Sequence, residues 1–103
     1  MHQYSQLFNP GDLVRNKRRY GSIAGVGAGE HGYRTYPEGT AMLVLEVMSL
    51  TVKREKPNKK AMTRLVRYCL CLPAAAGIDE RSGEPAPHVR QEFIKAKKLE
   101  KVE

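Results

Sequence analysis

The stretch from Gly39 to Val52, GTAMLVLEVMSLTV, is the longest apolar run in the chain and most limits what it can fold into. Ala41, Leu43, Leu45 and Val47 alternate with Met42, Val44, Glu46 and Met48, so one face is wholly apolar and the other partly so. Past Val47 the apolar phase moves to Met48, Leu50 and Val52. A strand keeps strict period two, so the change of phase predicts a bulge or sharp bend near Val47–Ser49. A buried helix is the rival for any apolar run. Against it stand the β-branched Thr40, Val44, Val47, Thr51 and Val52, with Gly39 before the run and Pro57 after it. The run is therefore expected to be the central, bent strand of a small β-barrel.

With 103 residues the chain is expected to form one domain with one modest core, too small for a separate substrate lobe. Residues 1–6 read as an N-terminal tail. Glu46 interrupts the best apolar stretch, so no run is long enough to span a membrane, and the first residues show neither a basic start nor an apolar signal core. Cys69 and Cys71 lie two apart on a strand-like run, where a mutual disulfide would be strained. Reduced thiols, and hence a cytoplasmic setting, are expected.

Lys and Arg outnumber Asp and Glu 18 to 11, a net charge of +7. The excess is central: residues 39–73 hold seven basic residues against two acidic ones. Such a local field favours polyanions, nucleic acid above all, or an acidic protein surface. Lys53, Arg54, Lys56, Lys59 and Lys60 flank Pro57-Asn58, whose turn chemistry predicts a hairpin tip between two strands. The tip is either simply solvated or placed to meet phosphate.

Leu13-Val14-Arg15 is expected to open the fold as a short strand after a type II turn at Pro10-Gly11. Residues 16–38 hold five of the nine glycines and read as a long irregular loop. Gly27, Gly29 and Gly32 spell GxGxxG, but no strand–helix context surrounds them, so phosphate cradling is not expected. Met62 to Leu72 is the returning strand, with Val66, Tyr68, Leu70 and Leu72 expected inward and Leu65, Arg67, Cys69 and Cys71 outward. A metal site joining the cysteines to His31 or His88 is disfavoured, because zinc ligands come as CxxC in loops and not as CxC within a strand. Residues 73–88 read as an insertion loop. For 89–102 a strand through Phe93-Ile94, a turn at Lys95–Lys98 and a closing strand Leu99–Val102 fits better than a helix. Val14, Val44, Val47, Val66, Leu70, Phe93 and Leu99 are expected in one core.

PGDLVR at the start, GTAMLVLEV in the middle, CLCLP and EFIKAKKLEKV at the end together resemble a small SH3-like barrel, and within that fold KOW-type domains. Gly11, Asp12, Leu13 and Val14 match the opening, Gly39, Val44, Leu45, Glu46 and Val47 the middle strand, and Phe93, Ile94, Leu99 and Val102 the end. The resemblance implies an all-β fold of about five short strands carrying two long irregular loops, 16–38 and 73–88. It is also compatible with a bacteriophage or bacterial gene, and then with the host cytoplasm or the virion.

Neither a catalytic constellation nor a cofactor site is expected, since His2, His31 and His88 lie in a terminus or loops with no signalled partner. A non-enzymatic binding module is expected instead, contacting DNA or RNA or a nucleic-acid-processing machine. Arg15, Lys17, Arg18, Arg19, Lys53, Arg54, Lys56, Lys59 and Lys60 are the expected phosphate contacts, and Tyr20, Tyr33 and Tyr36 the expected stacking platforms. The alternative is a protein-interaction or virion-assembly module, in which charge only steers encounter.

Overall fold

The computed structural model describes residues 7–29, 31–56 and 59–102, with the backbone alone over 54–56 and 59–62. The chain is mainly β. Its strands are β1 (Leu13–Asn16), β2 (Ile23–Gly27), β3 (Tyr33–Tyr36), β4 (Ala41–Lys56), β5 (Lys59–Pro73), β6 (Ile78–Asp79), β7 (Glu92–Lys95) and β8 (Leu99–Lys101). One-turn 3-10 helices occupy Arg18–Tyr20 and Ala96–Lys98. Among the described residues no helix is long and apolar enough to cross a membrane.

Every ladder is antiparallel, and the strands form one sheet in the order β6-β3-β2-β7-β5-β4-β1-β8. The sheet is open, with β6 and β8 at its ends, and has eight strands where about five were expected. It is nevertheless rolled. Asn16 on β1 donates from Nδ2 to the carbonyls of Tyr36 on β3 and Pro37, at 3.0 and 2.7 Å. Those strands stand five places apart in the order, about 24 Å across a flat sheet. One face must therefore curl inward, and it encloses a core of Phe8, Val14, Ile23, Tyr36, Met42, Val44, Cys69, Cys71, Ile94, Ala96 and Leu99.

The glycine-rich segment is not an irregular loop, because β2 and β3 form a hairpin within it. Gly25 and Gly27 sit on the inward face of β2. A Cβ on Gly25 would lie 2.9 Å from the Glu92 side chain, and one on Gly27 would lie 2.5 Å from that of Arg90. The missing side chains are room for two long charged ones. Residues 73–88 also carry order, in β6 and its bridge from Ile78 to Pro85. The turn at Pro10-Gly11 matches its expectation, with Gly11 at φ 94° and Asp12 N–H donating to the Asn9 carbonyl at 3.0 Å. So does the strand, turn and strand of the C-terminal segment.

The bulge falls earlier than expected. The β4–β5 register slips between Val44 and Glu46, at Leu45. That one extra residue lets Met42 and Val44 before it, and Val47 after it, share the inward face. Opposite them, Cys71 pairs with Val44 and Cys69 with Val47, and both thiols are buried. The inward face of β5 is therefore the cysteine face, one residue out of phase with expectation. Val66, Leu70 and Phe93 are half-buried on the outer face, and Leu72 is 40% exposed there. Val14, Val44 and Leu99 are core residues, and Val47 packs against them.

Candidate nucleic-acid interface

β4 and β5 are 16 and 15 residues long, but their outer neighbours are short. On β4, β1 reaches only Ala41–Leu43, and on β5, β7 reaches only Tyr68–Cys71. Beyond Met48 and Arg67 the two strands continue as a ribbon of about 30 Å with no further strand paired to it among the described residues. The expected hairpin is thus a protruding arm. Lys53 is exposed on it. Arg54, Lys56, Lys59 and Lys60 belong to its strands, and their side chains lie outside the described residues.

Two clefts open where β5 leaves β7. One, of about 220 Å³, is lined by Ser49, Arg64, Leu65, Val66, Arg67, Ala96 and Lys97. The other, of about 90 Å³, is lined by Val52, Arg64, Val66, Tyr68, Lys95 and Lys97. Neither lining contains an acid. The turn Ala96–Lys98 connects the arm's root to the first basic cluster, since the Lys17 N–H donates to the Lys98 carbonyl at 3.0 Å. The Tyr20 hydroxyl responds to both sides: its pKa is lowered first by the hydrogen bond from Arg19, with the charges of Lys17 and Lys97 contributing. Among the described residues, no carboxylate lies within ion-pair distance of Lys17, Arg19, Lys53, Arg64, Arg67 or Lys97. These six cations are spread from the arm across its root to the Arg18–Tyr20 turn.

The other expected contacts are placed differently. Arg15 pairs with Glu100 at 3.0 Å and Arg18 with Glu38 at 3.5 Å, around a hollow of mixed charge. Both pairs are partly exposed and so worth about 0–1 kcal/mol each, weak enough to exchange for phosphate. Tyr20 is half-buried against the core, with the Arg19 guanidinium 4.7 Å from its ring centroid. Tyr33 is 52% exposed but belongs to β3, three ladder steps from β5. Tyr36 is no stacking platform. It is fully buried, and its hydroxyl donates to Glu92 Oε2. Burial and that carboxylate push its pKa up.

Glu92 is itself buried and also accepts from Arg90 Nε at 3.2 Å, while Arg90 Nη2 donates to the Gly32 carbonyl at 3.0 Å. This internal network ties β7 to the β2–β3 hairpin and presents nothing to a ligand. The cysteines are equally internal. Interaction with Cys69 and burial both push the Cys71 thiol up, keeping it protonated. Among the described residues no three His, Cys, Asp or Glu side chains gather as metal ligands.

Arg64, Arg67, Lys95, Lys97 and Tyr68 were not singled out from the sequence. The available signals were the polar first half of the returning strand and the KAKK run at 95–98, which reads as a turn and equally as a basic cluster. Compared with known proteins, the chain matches no family model, no curated protein and no solved structure.

Proposed function

We propose that this chain is a non-enzymatic nucleic-acid-binding module, an SH3-like barrel of KOW-like type that grips phosphate with the arm formed by β4 and β5. The observation that carries the reading is the segregation of charge. Glu100, Glu38 and Asp12 are paired with Arg15, Arg18 and Lys101, while Lys17, Arg19, Lys53, Arg64, Arg67 and Lys97 have no carboxylate partner among the described residues. Uncompensated like charges on one surface are held at a cost in self-repulsion, which a polyanion relieves. A two-stranded ribbon is also a shape that follows a nucleic-acid groove.

One observation favours the second reading, a protein-interaction or assembly module. The ladders set Leu13, Leu43 and Leu72 side by side on the outer face, at 48%, 38% and 40% exposure. Exposed apolar rows of this kind occur at protein interfaces.

Fluorescence anisotropy with labelled single- and double-stranded oligonucleotides at about 50 mM salt separates the two, with polyglutamate as competitor. Binding that resists a charge excess of polyglutamate is expected. Equal displacement by polyglutamate would reduce the surface to a general anion trap. No binding to any oligonucleotide would overturn the proposal and leave the leucine row as the functional surface.

A further inference from the structure

We propose that the nucleic acid is single-stranded and is held at the root of the arm rather than at its tip, with phosphate among Arg64, Arg67 and Lys97 and an unpaired base against Tyr68. This inference rests on the nucleic-acid reading above. The β5–β7 ladder ends at the pair Tyr68–Lys95. From there outward β5 has a free edge on that side, and the two clefts lie along it, sharing Arg64, Val66 and Lys97 in their linings. The smaller cleft has Tyr68 in its lining together with the apolar Val52 and Val66. The larger one is lined by Arg64, Arg67 and Lys97 together with Ser49.

Paired bases already have both faces covered by their neighbours in the duplex, and a tyrosine in a cleft cannot reach them. An unpaired base can enter, lay its face on the ring and shed water against the valines. Arg64, Val66 and Tyr68 follow one another on the same face of β5, at about 6.7 Å per two residues. An extended strand therefore keeps its base on Tyr68 while its backbone passes Arg64. Lys97 borders both clefts, so the backbone can continue over the edge of β5 to Arg67 without leaving positive potential. Stacking of this kind tolerates any base, so the site is expected to accept DNA and RNA with modest sequence preference.

The test compares a labelled 12-nucleotide oligothymidylate, the corresponding oligouridylate and a duplex of similar charge, each with wild type, Tyr68→Leu and Tyr68→Phe. Wild type should bind both single strands at least about ten-fold more tightly than the duplex. Tyr68→Leu, which fills the space without a π face, should remove about ten-fold of single-strand affinity and leave duplex binding unchanged, whereas Tyr68→Phe should behave as wild type. Arg64→Gln, Arg67→Gln and Lys97→Gln should each flatten the single-strand salt slope by about 0.7. Equal or tighter duplex binding by wild type overturns the inference while leaving the broader reading intact. That comparison needs no variant, so a destabilised Tyr68→Leu does not rescue the idea. Undiminished single-strand binding by a folded Tyr68→Leu also overturns it. Failure of wild type to bind any of the three removes the parent reading and this inference together.

Discussion

Glu92→Ala should lower the free energy of unfolding by about 3–5 kcal/mol, read from urea denaturation. Glu92 has no solvent exposure, and the Arg90 side chain keeps only 8%. Removing the carboxylate takes the buried counter-charge from that guanidinium, although the Gly32 carbonyl still accepts from it, and takes the acceptor from the Tyr36 hydroxyl. The fold has already given up two side chains on β2 to admit this pair, at Gly25 and Gly27. Burial raises the Glu92 pKa above the ordinary carboxylate range, against the opposing pull of Tyr36 and Arg90. The folded state therefore holds that proton to higher pH than the unfolded chain does. Its contribution is greatest below the unfolded pKa and declines as pH rises through the folded one, so stability should fall over that window. Glu92→Gln, which cannot ionise, should flatten this part of the pH profile. A loss below about 1 kcal/mol for Glu92→Ala would mean that water reaches the pair.

Reversing Lys53, Arg64 and Lys97 to glutamate together should weaken oligonucleotide binding by about a hundred-fold or more at about 100 mM salt. Each reversal replaces an attraction with a repulsion, and a unit-charge contact is worth about 1 kcal/mol even in a water-like dielectric. All three side chains are exposed and lack carboxylate partners among the described residues, so the melting temperature should scarcely move. Reversing Arg15 and Arg18 should do much less to affinity, because Glu100 and Glu38 already cancel part of their field. Equal losses from the two sets would remove the arm's root from its central place.

Turn chemistry and strand ends were legible in the sequence because they depend on neighbours. Pro10-Gly11 announced its turn, and Phe93-Ile94 was readable as a strand ahead of a closing one, while the expected turn at Pro57-Asn58 lies outside the described residues. The inward face of β5 was not legible, since Leu70 and Leu72 are as apolar as Cys69 and Cys71 and alternation alone cannot choose between them. The choice is made by the bulge at Leu45, which sets the register with β4. Nor could Gly25 and Gly27 be read as strand residues, because they owe their identity to Arg90 and Glu92 some 65 positions later. The site was half visible for the same reason. Arm and turn show as basic runs, but Arg64, Arg67 and Lys97 become one cluster only once the β5–β7 ladder has brought residues 64–68 beside 95–97.

The most direct test of the central claim, that one continuous cationic surface binds nucleic acid, is the salt dependence of wild-type affinity for a single-stranded oligonucleotide. Each phosphate engaged releases counterions and contributes about 0.7 to the slope of log affinity against log salt. Contact by four to six of the unpaired cations predicts a linear decline with a slope of about −3 to −4. A slope near zero, or binding that survives about 1 M salt undiminished, would contradict the account.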